Sequence, residues 1–320
     1  MHDAVANKIL AISGGVGGAK LALGLARVVE PARLTIVANT ADDFEHLGLH
    51  IAPDLDTVMY TLAGLNNQQQ GWGLADETWQ FLEALQRLGG ESWFRLGDRD
   101  LATHIQRSQL LAQGRSLSQV TAQFCAQLGV QPRLLPMSDD PVRTVVISDE
   151  GELAFQHYFV REQCRPRVSG FRFDGIETAQ AQPELLALLQ DESLAAIVLC
   201  PSNPFVSVDP VLALSGVRAA MIDSAAPVIA VSPIVSGLAI KGPAAKMMLE
   251  LGVPVTAAAV AQHYQGLVDH FVLDQGDVTL TAEIERLGMA VAVTATIMNS
   301  LADRENLARF VVDVALGARR

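Results

Sequence analysis

Short continuous apolar runs alternate with stretches of helical apolar spacing along most of this chain. Lys8–Ser13 carries the run Ile-Leu-Ala-Ile, meets a cluster of glycines and passes into a helical pattern over residues 20–29. Leu34–Ala38 is the next run. Strand, helix and strand at this spacing predict parallel pairing through a right-handed crossover. Residues 54–65 read as a second helix, with Asp54 at its start and Gly64 near its end.

No convincing strand follows between residue 74 and about residue 130. Segments 74–88, 98–112 and 116–128 instead space their apolar residues three and four apart, which predicts a helical insertion. Arg143–Ser148 and residues 153–160 are β-rich and flank Asp149-Glu150-Gly151, a predicted hairpin. Leu194–Leu199 and Val228–Val231 are apolar throughout, the pattern of strands buried on both faces. Further strands are expected at 253–256, 271–273 and 290–295, before a closing helix at 304–316. With neither repeats nor a low-complexity linker, residues 1–320 read as one α/β domain. Its expected architecture is a doubly wound, mostly parallel Rossmann-like sheet with a helical insertion at about 74–130.

Composition narrows the class. Half of the residues are hydrophobic and 18% are charged, and no apolar run approaches the length of a membrane helix. The first residues lack a basic segment followed by a long apolar core, so no secretory signal is expected and the chain is placed in the cytoplasm. A formal net charge of −12 argues against a general nucleic-acid binder, while leaving room for a nucleotide held in one basic cleft. Cys125, Cys164 and Cys200 show no CxxC spacing and read as reduced, mostly buried thiols.

The candidate chemistry gathers near the strand ends. Ser13-Gly14-Gly15-Val16-Gly17-Gly18-Ala19-Lys20 joins a strand to a helix, where glycines let backbone N–H groups approach phosphate. It departs from the dinucleotide fingerprint, which needs glycine at Lys20, and from the phosphate-loop pattern, which needs Gly-Lys-Ser/Thr. A tight strand-to-helix turn without ligand is the competing reading. Two acidic clusters follow, Asn39-Thr40-Ala41-Asp42-Asp43 and Pro53-Asp54-Leu55-Asp56-Thr57. Carboxylates on the ligand-bearing edge of an open sheet can hold a hard cation together with phosphate, or remove a hydroxyl proton. Asp42, Asp43 and Asp56 are the candidates for metal or base, whereas Asp54, after Pro53 at a helix start, is read as an N-cap.

Other motifs leave two readings each. Arg95 and Arg99 can meet phosphate, or pair with Asp98 and Asp100 as a solvated turn. Ser202 and Asn203 can bind a ligand, or form an Asn-Pro turn. Lys241 and Lys246 flank a Gly-Pro helix start suited to a diphosphate, or are a solvated pair. His46 and His50 have the spacing of a zinc helix without its glutamate, and structural or substrate-contact roles are expected of them.

Taken together, these segments resemble the 2-phospho-L-lactate transferase family of coenzyme F-420 biosynthesis. The resemblance lies in Ser13–Lys20, Asn39–Asp43, Pro53–Thr57, Arg95-Leu-Gly-Asp-Arg-Asp100, Tyr158-Phe-Val-Arg-Glu162, Pro201-Ser-Asn-Pro-Phe205 and Lys241-Gly-Pro-Ala-Ala-Lys246, and runs from about residue 8 to 318. It implies transfer of a phospho-acid from a guanosine diphosphate-linked donor to the ribityl hydroxyl of the deazaflavin Fo, with release of GMP and with Mg2+ required. It further implies that Asp56 and Arg95 bind Fo. Gly14, Gly15, Gly17, Lys20, Ser202, Asn203, Lys241 and Lys246 would surround the donor. Two rivals are a noncatalytic nucleotide-sugar-binding regulator of the wider family and a nicotinamide oxidoreductase. The broken fingerprint at Lys20 and the Asn39-Thr40 strand end count against the latter. A homodimer is the expected assembly, on the general abundance of two-fold oligomers.

Overall fold

The structure, a computed structural model, describes residues 7–240 and 242–318. Seven strands form the central sheet: β1 (Lys8–Ser13), β2 (Leu34–Ala38), β3 (Arg133–Pro136), β4 (Leu194–Leu199), β5 (Val228–Val231), β6 (His270–Asp274) and β7 (Ala290–Thr294). Their spatial order is β7-β6-β5-β4-β1-β2-β3, and every neighbouring pair is parallel. The fold is thus the doubly wound α/β architecture that the apolar runs predict. The chain grows outward in one direction from β1 to β3 and in the other from β4 to β7. Between β1 and β4 the order reverses, which opens a crevice beyond their carboxyl ends.

The sheet is buried on both faces because helices cover both. Alternate residues of β1 serve opposite layers. Ile9 and Ala11 pack with α1 (Gly15–Val28), α2 (Pro53–Leu62) and the C-terminal helix Leu301–Ala318. Leu10 and Ile12 pack with the helices Pro183–Leu189, Val217–Asp223 and Ala257–His263. Among the described residues no single helix is long and apolar enough to cross a membrane.

Between β2 and β3 lie α3 (Gln80–Arg87), α4 (Asp100–Ala112) and α5 (Leu117–Leu128). The last begins with a capping box between Ser116 and Gln119 and stops at the left-handed Gly129. The first starts six residues later than the expected 74–88 helix, where the Asp98 carboxylate accepts the Gln80 and Phe81 N–H groups.

Several expectations need correction. Strand β3 was absent from the apolar-run reading, since it is four residues long and ends on Pro136. Residues 253–256 form no strand: Pro254 interrupts them and Thr256 caps the helix Ala257–His263 by accepting the Ala259 N–H. The hairpin strand expected over 153–160 stops at Ala154 and gives way to a helical turn, His157–Arg161. Phe155 and Tyr158 enter the same small core, a spacing that strand alternation forbids. His46 and His50 sit on a β-ribbon (Phe44–His46 with Leu49–Ile51), so they share no helix face.

Candidate active site

The glycine turn is built at the reversal point of the sheet. Gly14 is extended, Gly15 takes φ +61°, and α1 starts there without an acidic residue in its first turn. Ser202, just beyond β4, locks the turn: its hydroxyl accepts the Gly14 N–H at 3.0 Å and donates to the Gly14 carbonyl at 2.8 Å. A Cβ on Gly14 would lie 2.6 Å from Asp54 Oδ2, and one on Gly17 would run into the Pro201 carbonyl. These glycines therefore allow close approach of two loops and leave the α1 N-terminus facing a cavity of about 630 Å³. Lys20 lines that cavity and donates to the Met298 carbonyl at 2.9 Å.

The acidic clusters divide differently from the sequence reading. Asp54 is not an N-cap: Ala52 holds that position, Pro53 is the first helical residue, and the Asp54 carboxylate turns inward. Asn39, at the end of β2, donates to Asp54 Oδ2 at 3.0 Å. Asp54 and Asp42 both line the cavity. Burial raises the Asp54 carboxyl to about 6, against hydrogen bonds from Asn39 and the Gly15 N–H. Burial, and then the charge of Asp54, pushes Asp42 well above the usual carboxylate range. Asp42 Oδ1 is buried without a hydrogen-bond partner. Asp43 turns away from the cavity to His50, with Oδ2 3.0 Å from Nε2.

Asp56 lines the cavity, but both of its oxygens accept hydrogen bonds from the buried guanidinium of Arg107 on α4. Burial raises its pKa, against the charge of Arg107. Beside it, Tyr60 donates to Asp100 Oδ1 at 2.6 Å, and His104 lies between Asp56 and Asp100. Burial acts on Asp100 upward, yet the close His104 ring, a hydrogen bond from Tyr60 and the charge of Arg107 together hold it below its ordinary value. Tyr60, Asp100 and His104 all line the cavity, and the sequence reading assigned none of them a site role. A signal existed: Asp100, His104 and Arg107 recur at i, i+4 and i+7, a polar stripe on a helix otherwise read for its apolar face.

The remaining candidates are dispersed. Arg95 is exposed at the cavity, with its guanidinium 4.1 Å from the centre of the Trp79 ring. Asn203 borders the cavity, and its Oδ1 accepts the Phe205 N–H, so it also makes the Asn-Pro turn. Lys246 points elsewhere, to Glu250 at 2.6 Å and the Pro166 carbonyl at 3.0 Å. Lys241 lies outside the described residues. An aromatic wall that includes Trp72, Trp93, Phe94, Phe155 and Phe159 completes the cavity.

Comparison with known proteins now decides the family. The family model for 2-phospho-L-lactate transferase CofD matches residues 9–307. The chain belongs to the CofD family. It is 41% identical to a phosphoenolpyruvate transferase of Streptomyces griseus over 96% of this chain and 98% of that one. It is 36% identical to the 2-phospho-L-lactate transferase of Methanosarcina mazei over 95% and 99%. This CofD-family chain is accordingly an enzyme, a phospho-acid transferase of coenzyme F-420 biosynthesis. Among solved structures, protein BH3568 of Bacillus halodurans superposes with a TM-score of 0.63 at 16% identity, covering 97% of this chain and 99% of that chain. That likeness concerns the fold alone.

Proposed function

We propose that this enzyme moves a phospho-acid from a guanosine diphosphate-linked donor to the terminal ribityl hydroxyl of Fo, releasing GMP. The observation that carries the reading is one cavity joining three chemistries: the glycine turn and α1 N-terminus, a buried carboxylate group, and an aromatic wall. The first suits a diphosphate and the last a flat deazaflavin. In the reaction the ribityl oxygen attacks the phosphorus bearing the acid. A new phosphorus–oxygen bond forms, the anhydride bond to GMP breaks, and the hydroxyl proton passes by way of a wall carboxylate, Asp42 or Asp56, to solvent. Such transfers depend on positioning and charge stabilisation more than on a covalent nucleophile.

The first-turn N–H groups of α1 face the donor phosphates, and Lys20 adds positive charge beside them. Asp56 orients the acceptor: each of its oxygens retains a lone pair beyond the bond to Arg107 and can accept from a hydroxyl. Arg95, at the mouth, lies where it can meet the acceptor.

Mg2+ fits this donor set in a restricted sense. No cluster of three or more His, Cys, Asp or Glu side chains suited to a metal occurs among the described residues. Mg2+ commonly takes only one or two carboxylates and completes its shell with water and substrate phosphate. Asp42 and Asp54, which both line the cavity, are the pair that would hold it; Asp43 lies outside that lining against His50, and Asp56 is held by Arg107. When bound, the ion neutralises charge on the diphosphate.

The test is incubation with Fo, magnesium and guanosine diphosphate-linked donors carrying phospholactate, phosphoenolpyruvate or 3-phosphoglycerate, read by mass spectrometry. The expected result is a mass gain on Fo equal to one phospho-acid less one water, with GMP appearing in equal amount. Unchanged Fo with every donor would defeat the proposal.

A further inference from the structure

Arg107 is the bulkiest of the fully buried side chains and stands behind the cavity wall formed by Asp56, His104, Asp100 and Tyr60. Its guanidinium reaches four acceptor atoms on three residues: both oxygens of Asp56, the His50 carbonyl at 3.4 Å, and His104 Nδ1 at 3.4 Å. A guanidinium only donates. The Arg107 contact thereby favours the lone pair on His104 Nδ1, which in the neutral ring puts the proton on Nε2. Nε2 is buried, lies 3.4 Å from Asp100 Oδ1 and makes no hydrogen bond to the protein. His104 itself lines the cavity.

We infer that Arg107 is a positioning residue that fixes His104 as its Nε2–H tautomer and holds Asp56, so that the wall presents one N–H donor between two carboxylates. This inference rests on the proposed acceptor and deepens it. A polyol hydroxyl both donates and accepts, and the alternation of acceptor, donor and acceptor matches a ribityl chain. A bare hydrophobic ligand would leave the Nε2–H without an acceptor, and a purely anionic one would meet the like charge of the carboxylates. The arrangement also gives the helical insertion a chemical task, because Asp100, His104 and Arg107 all stand on α4.

The experiment is imidazole nitrogen NMR on protein labelled with 15N-histidine, with the His104 signals assigned by their loss in H104Q. Wild type should show the Nε2–H tautomer. R107K keeps the charge but loses the planar fork, and should shift the ring toward a mixture of tautomers. Its turnover should fall about 100-fold, the scale of a misplaced reacting group. Affinity for GDP, measured by calorimetry, should stay unchanged. If R107K does not fold, R107Q is read in the same way. A wild-type Nδ1–H tautomer would overturn the inference. So would an R107K protein with an unmoved tautomer and undiminished turnover. Failure of the wild-type protein to modify Fo would instead strike the proposed function, since the tautomer is read without substrate.

Discussion

Asp42 and Asp54 show how far a residue's role depends on what folding places beside it. Their positions in sequence suggested a metal ligand and a helix cap, but in the fold both are buried in the cavity lining and the charge of Asp54 bears on Asp42. The folded pKa of Asp54, about 6, lies above its ordinary 3.8. Its protonated form is the one the fold favours, so its stabilising contribution is complete below the ordinary value and is lost as pH rises through about 6. Metal-free protein should therefore lose stability to urea between about pH 4 and pH 7 through this group, by on the order of 2–3 kcal/mol. In Asp54→Asn that part of the slope should disappear. Magnesium added near neutral pH should restore part of the loss in the wild type but not in Asp42→Asn. An unchanged pH slope in Asp54→Asn would contradict the assignment. Asp56 stood out in the sequence and lines the cavity, but its partner did not stand out. Nothing local in sequence says that Arg107 will be wholly buried, because that requires α4 to dock against α2.

Among elements, long buried strands were readable from sequence because uninterrupted Leu, Ile and Val have few other uses in a soluble domain. Short elements were not. β3 spans four residues, and its pairing with β2 is decided by β2 offering a free edge. Residues 253–256 contain two valines yet serve as the approach to a capped helix. The glycine turn was legible as a turn, but its lock was not, since Ser202 arrives from β4, 188 residues away in sequence. Ser202→Ala should release the turn from β4 and weaken GDP binding by about tenfold, the cost of roughly one buried hydrogen bond. Calorimetry with GDP checks this, and unaltered affinity would show that the turn holds its shape without the lock.

For the whole molecule, one helix pair closes the sheet's first face: α1 packs on the C-terminal helix Leu301–Ala318, so that Gly24 meets the Arg304 carbonyl. A Cβ on Gly24 would collide with that carbonyl and lies near Ala308. Gly24→Ala should cost about 1–3 kcal/mol of stability through overpacking, despite alanine's better helix propensity. Chemical denaturation measures it; a stabilised variant would mean that the two helices separate at little cost.

By itself the sequence determined the alternation of strands and helices, the reversal-type sheet with its glycine turn, and the family, because these follow from local periodicity and from motifs whose residues are close in the chain. Only the tertiary structure decided that Asp54 lies in the cavity lining beside the charge of Asp42 and is held there by Asn39, that Lys246 is spent on Glu250, and that Arg107 and His104 complete the wall. The physical reason is common to all three. A charge buried in a fold takes the partner that geometry brings within a few ångströms, and that partner is set by packing between elements far apart in sequence.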